Sequence, residues 1–516
     1  MATHVLPRVS SKSSARFIIA ALAAIIIISR SGPVARFIQA EGSPIVAENA
    51  LTGNPANEWD VSGAGDPTIQ GFATDISVNR GATVYFKVNS PSANYVIDIH
   101  RLGYYGGAGA RRVATVTPSA PLPQAQPPCS IDGTTGLADC GNWDVSASWS
   151  TGTAVSGIYV ATLKRVDTGG VSHIVFVVRD DARQADVVVQ TSDTTWQAYN
   201  QYGGGSLYCN GPVSNEGTVY GCIGRATKVS YNRPFDTRAH DPQSFLFNAE
   251  YPMVRWLEAN GYDVKYISGV DTERNAGILL GAKKPKAFVA IGHDEYWSAG
   301  QRATVEAARD AGVSLAFFSG NEIYWKTRFE PSADGSGTPY RTLVSYKDTL
   351  GGVKRDPLPG VSTGTWRDLR LSSPAADGGL PENSLTGTLW TVNSGTTAIT
   401  VPASMAGLRF WRNTRVASLT SGSTSLGTHT LGYEWDEDID NGSRPSGLMH
   451  LSSTTVSGVE KILDFGETVG IGTATHHLTM YRVSSGALVF GAGTVQWAWG
   501  LDGNHDRGAA APDDAM

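Results

Sequence analysis

A chain of 516 residues exceeds one ordinary domain, so two or three are expected. With 41% hydrophobic and 17% charged residues it can bury a large core, which sets it apart from disordered chains. The net charge of −6, with no long basic run past the N-terminus, gives no support to nucleic-acid binding, and no nucleic-acid partner is expected.

The first forty residues have the pattern of a targeting segment. Arg8, Lys12 and Arg16 precede the apolar run 17–28 (FIIAALAAIIII), which Arg30 closes. About a dozen apolar residues fall short of the roughly twenty that span a bilayer, so residues 1–40 are expected to be a signal peptide cleaved near Ala40. The long stretch carrying Arg36 before that point leaves an uncleaved membrane anchor as the alternative. A secreted or cell-envelope location follows from either. Four cysteines, Cys129, Cys140, Cys209 and Cys222, fall in two locally spaced pairs with no CxxC. Local bridges 129–140 and 209–222 are favoured among the three connectivities that four cysteines allow.

After a linker (41–69), residues 70–182 read as an all-β sandwich module. Short β-branched and aromatic segments recur there: ATVYFKV (82–88), YVIDIHRL (95–102), WDVSASW (143–149), GIYVATLKR (157–165) and SHIVFVVR (172–179). The glycine-rich GYYGGAG (103–109) precedes no helix and is read as a tight turn, not a phosphate cradle.

From about 183 to 510 the pattern changes. ADVVVQTSDTTW (185–196), GYDVKYISGVD (261–271), PKAFVAIGHDEYW (285–297) and GVSLAFFSGNEIYW (312–325) hold nearly continuous apolar runs, as strands buried on both faces do. Helical patterns at 249–260 and after Ser298 lie between them, each closed by a glycine. The alternation predicts an α/β Rossmann-like (glutamine-amidotransferase-like) domain. The Gly/Ser/Thr-rich stretch of about 330–485 is expected to be a β-rich insertion, with short strands at 366–372, 398–403 and 460–466.

Each apolar run ends in polar residues, and in open sheets ligands bind beyond the carboxyl ends of strands. If the strands are neighbours, His293, Glu295 and Asn321 converge, while Asp294 looks like a charge at a helix N-terminus. No HExxH is present.

The blocks WQAYNQYGGGSLY (196–208), KVSYNRPF (228–235), AIGHDEYWS (290–298), SGNEIYW (319–325) and LGYEWDED (431–438) resemble the N,N-dimethylformamidase large (beta) subunit-like C-terminal domain family. HRLGYYGGAGARR (100–112) resembles the β segment that precedes that domain. The resemblance implies a mononuclear ferric ion held by two tyrosinates and a glutamate. Matched by motif these are Tyr199, Tyr208 with Tyr220 as its rival, and Glu295; His293, Asn321 and Glu434 match the residues around the metal. Hard oxygen anions suit such an ion, which would polarise an amide carbonyl. Glu434, coupled to His293, would then act as base, and Asn321 would donate to the carbonyl oxygen. A metal-dependent amidohydrolase acting on a small-molecule amide is therefore expected, with assembly into a homo-oligomer left open. The contrasting expectation is a non-catalytic envelope or glycan-binding protein that uses exposed Tyr104 and Tyr105.

Overall fold

The computed structural model describes residues 42–208, 225–371, 379–508 and 510–516. The targeting segment, Cys209, Cys222 and Tyr220 lie outside these residues. Among the described residues no helix is long and apolar enough to cross a membrane.

Two main sheets and a small hairpin, Ser130–Asp132 with Leu137–Asp139, form the described N-terminal part. Strands Gln70–Ala73, Thr83–Asn89 and Ala147–Ser150 make one; Ser77–Asn79, Tyr95–Leu102, Ala110–Val116, Gly157–Arg165 and Val171–Arg179 make the other. Their alternating apolar residues meet in one core around Phe86, Val88, Ile97, Ile99, Tyr159 and Phe176. Cys129 and Cys140 are bridged, and Phe72, Trp143 and Tyr202 pack around them. The 103–109 segment is a tight turn in which Gly106, Gly107 and Gly109 all take positive φ.

The four apolar runs are strands Val187–Gln190, Val264–Ile267, Ala287–Gly292 and Ser314–Ser319, all mutually parallel, and Leu488–Gly491 extends the ladder. Ser298 begins helix Ala299–Asp310 with a capping box: its hydroxyl accepts from the Gln301 amide, and the Gln301 side chain accepts from the Ser298 amide. Past that helix, Gly312 turns the chain at φ 91°, where a side chain would be strained.

The expected Rossmann-like, glutamine-amidotransferase-like class needs correction. Among the described residues strand outweighs helix by 31% to 18%, and the strands are divided among seven sheets. Among the described residues only two α-helices, Tyr251–Ala259 and Ala299–Asp310, reach nine residues. The parallel ladder is itself continued by antiparallel strands, Thr479–Arg482 and Met449–His450. A β-rich fold of many small sheets is what these residues form. Periodicity over four runs identified buried strands correctly, and helices do lie between them, but the chain after residue 319 supplies mostly short strands rather than covering helices. The strand expected at 366–372 is absent from its described part, 366–371, where Leu369–Leu371 forms a 3-10 turn.

A buried ion pair ties the two halves together. Arg101 on strand Tyr95–Leu102 donates to Glu258 on helix Tyr251–Ala259 at 2.7 and 2.9 Å, with both side chains fully buried. Tyr266 and Asn49 donate to the same carboxylate. Arg101→Met would leave the carboxylate buried without its cation, so a loss of about 3–5 kcal/mol in unfolding free energy is expected in urea denaturation. A loss under 1 kcal/mol would show that the pair does not hold the halves together.

Candidate active site

The site forms where the parallel ladder ends. Gly292 pairs with Ser319 across neighbouring strands, so the residues that follow each strand, His293–Glu295 and Gly320–Glu322, emerge side by side. Gly292 turns the chain at φ 77°, and a Cβ there would meet the Glu250 side chain at 2.8 Å. The Glu295 backbone is then held from both sides: its amide donates to Thr195 Oγ1, and its carbonyl accepts from the Trp325 amide. Asn321 adopts the left-handed region at φ 48°, which Asn tolerates better than most residues, and its amide donates to Asp436.

Tyr199 closes the short helix Asp193–Tyr199. Glu250 fixes that helix by accepting from the Ser192 amide and, at 2.6 Å, from the Trp196 indole. Glu434 arrives from far along the chain, on a segment laced to the residues after the last parallel strand. Gly432 donates to Thr494, Gln496 donates to the Gly432 carbonyl, and Asp436 donates to the Gly493 carbonyl.

The side chains converge. The Tyr199 hydroxyl lies 2.9 Å from the Tyr208 hydroxyl and 3.2 Å from Glu295 Oε2. The Tyr208 hydroxyl lies 3.0 and 3.1 Å from the two Glu295 oxygens, and the two tyrosine rings stack at 4.2 Å. Beside this trio, His293 Nε2 is 2.9 Å from Glu434 Oε2 and 3.5 Å from Glu295 Oε2. Asn321 Nδ2 donates to the same Glu434 oxygen at 2.9 Å. All six residues named from the sequence therefore meet in one place. Tyr220 lies outside the described residues.

Electrostatics follow from how little water reaches the cluster. Burial, and then the charge of Glu295, push both phenols well above their ordinary range, so they are neutral donors while no cation is present. Burial raises Glu295 as well, against the pull of His293. For His293 burial favours the neutral ring, but the Glu434 charge and hydrogen bond overcome it, and its pKa is raised.

Four neighbours were not picked out from the sequence. The Tyr433 hydroxyl is 3.1 Å from His293 Nδ1, and Ser244 Oγ is 3.5 Å from both groups. The Tyr296 hydroxyl donates to Tyr208 at 2.7 Å. Lys347, also in the left-handed region, sets its Nζ 3.4 Å from the centre of the Tyr208 ring and 4.6 Å from that of Trp325. Burial pulls its ammonium down to about 7, opposed by Glu295. Tyr296 and Tyr433 sit next to residues that were singled out, so their motifs held the signal; Lys347 and Ser244 lie in segments with no such pattern.

Two expectations change here. Asp294 is no helix charge: it is fully buried and accepts from Gln190 at 2.6 Å, bridging adjacent strands. Tyr105 is not exposed, since its hydroxyl donates to Glu48 and accepts from Arg101 inside the protein.

The donor set suits a hard cation. Oxygens bound octahedrally at about 2.1 Å stand about 3 Å from one another, near the 2.9–3.2 Å separations of the trio. Among the described residues no group of three or more His, Cys, Asp or Glu side chains is arranged to hold a metal, so a metal here would depend on the phenols.

Two phenols and a carboxylate, flanked by a His–Glu–Asn set, form a buried polar cluster in a β-rich protein. The profile of the N,N-dimethylformamidase beta subunit-like, C-terminal family matches residues 96–509, and the chain belongs to that family. It is thus a dimethylformamidase-like protein, consistent with an amidohydrolase that takes a small-molecule amide and uses a metal cofactor. No curated protein matches the chain.

Proposed function

We propose that this protein hydrolyses a C–N amide bond with a single ferric iron held by Tyr199, Tyr208 and Glu295. The observation that carries the reading is the meeting of three oxygens within 3.2 Å, immediately beside the His293–Glu434 pair. Iron bound there supplies Lewis acidity toward the carbonyl and eases deprotonation of the attacking water. The rest of the work falls to the chain. Glu434 Oε2 takes the water proton and later returns it to the leaving amine, so that acid and amine are the products. His293 Nε2, hydrogen-bonded to that oxygen, steadies the carboxylate and keeps it aimed at the reacting atoms. Asn321 gives one N–H to Glu434 and keeps the other for the carbonyl oxygen as negative charge grows there. Burial excludes bulk water, which strengthens each of these contacts.

Metal analysis of untagged protein tests the reading, together with absorption in the visible, where tyrosinate-to-ferric charge transfer colours a solution. About one iron per chain and turnover of at least one small formamide or acetamide are expected. Colourless, iron-free protein that cleaves none of them would overturn it.

Export is part of the same proposal. It is supported by the basic-then-apolar N-terminal pattern and by the Cys129–Cys140 bridge, since disulfides persist in oxidising compartments. Recovery of the full-length chain only from the cytoplasmic fraction would refute it.

A further inference from the structure

Two consecutive residues hold His293 at both of its ring nitrogens. Glu434 Oε2 lies 2.9 Å from Nε2, and the Tyr433 hydroxyl lies 3.1 Å from Nδ1. The Tyr433 ring stands nearly perpendicular to the imidazole, at 87° with centroids 5.8 Å apart. Ser244 Oγ, the other hydroxyl near Nδ1, stands off at 3.5 Å, where a hydrogen bond is weak. Residues 433 and 434 reach the ring as a unit, because the chain on either side of Tyr433 is pinned: the Gly432 carbonyl accepts from the Gln496 amide and the Glu434 carbonyl from the Val495 amide.

The protons follow from these partners. A carboxylate only accepts, so with Glu434 as base the N–H of His293 belongs on Nε2. Nδ1 of the neutral ring is then an acceptor and needs a donor. Tyr433 supplies one, since burial and the nearby charge of Glu434 hold its phenol well above the ordinary range and so protonated. A hydroxyl can also accept, so the same contact serves the ring when both nitrogens carry protons.

The opposite tautomer has one possible support. Asn321 Nδ2 lies 3.4 Å from Nε2 and could donate to a lone pair there. That contact is longer than the 2.9 Å to Glu434, and Asn321 already gives an N–H to the Glu434 carboxylate at 2.9 Å. The distances therefore favour Nε2–H aimed at the carboxylate.

We propose that Tyr433 is a positioning residue for amide hydrolysis: its hydroxyl fixes the His293 ring with Nε2–H directed at Glu434, and so keeps that carboxylate aimed at the attacking water. Its effect on rate rests on the hydrolase reading; its hold on the ring does not.

Two measurements test it. Nitrogen-15 NMR of the iron-free full chain labelled at histidine, with the His293→Gln spectrum assigning the resonances, reads which ring nitrogen carries the proton whatever the activity. A proton on Nε2 is expected, and Tyr433→Phe should shift the Nδ1 resonance as its hydrogen bond is lost. A proton on Nδ1 alone in the parent, or an Nδ1 resonance indifferent to Tyr433→Phe, would overturn the proposal. In turnover, Tyr433→Phe should lower kcat about tenfold, with KM and iron per chain within about twofold of the parent. The same substitution in a His293→Gln background should cost less than about twofold, because a residue that acts through His293 has nothing left to hold. Equal losses in both backgrounds would place the role of Tyr433 elsewhere, and a raised KM at constant kcat would make it a substrate contact; either result sinks the proposal. If Tyr433→Phe melts early, the parent spectrum decides. Should the parent cleave no amide, the hydrolase reading falls, and the spectra alone judge the hold on the ring.

Discussion

Replacing Glu434 by Gln is expected to lower amide turnover by about 10²–10⁴ while iron content and colour stay as in the parent protein. Its Oε2 is the atom shared by His293 and Asn321, each at 2.9 Å, whereas the three-oxygen cluster is closed among Tyr199, Tyr208 and Glu295. The substitution removes the proton acceptor and keeps the shape of the side chain. Iron per chain, the visible spectrum and turnover of a small formamide, measured on one preparation, decide the matter. Should Glu434→Gln alone empty the metal site, the division between base and ligand proposed here would be wrong.

Glu295→Gln should behave differently and lose both iron and turnover. The carboxylate touches both phenols and brings the one negative charge in the trio that needs no deprotonation by the metal, since burial keeps Tyr199 and Tyr208 protonated until a cation arrives. The loss of affinity should exceed the roughly 10–100-fold that follows loss of a supporting group around a metal. Metal titration of the apo-protein with ferric iron, followed in the visible, gives the comparison. Stoichiometric, tightly held iron in Glu295→Gln would exclude it as a ligand.

How much of this was legible beforehand varies with the range of the interaction. Buried strands were readable because a run such as VVVQ or AFVAIG reports its own burial. The cap at Ser298 was readable because its partner, Gln301, is three residues away. His293, Glu295 and Asn321 were readable because each stands just past such a strand. The architecture was not, because the helix–strand alternation of a few segments says nothing about the many short strands that the chain supplies before residue 180 and after residue 319. Asp294 was misjudged for the same reason: its partner Gln190 lies on another strand. Lys347 reaches the Tyr208 ring by tertiary packing alone, and no local pattern announces a buried lysine. For Glu434 the family motif located it, while the reason it arrives there, the lacing of 432–436 to 493–496, is visible only in three dimensions.

That lacing sets an order of assembly. Tyr199, Tyr208 and Glu295, with the first four parallel strands, have all been synthesised by the time the chain reaches residue 319. Glu434 joins Asn321 across 113 residues, and the segment that pins it is made later still. Closing so long a loop is slow and is compensated only once its contacts exist. A nascent chain therefore has Tyr199, Tyr208 and Glu295 long before Glu434, and any loosening of the 493–496 segment would detach Glu434 while leaving the other three gathered.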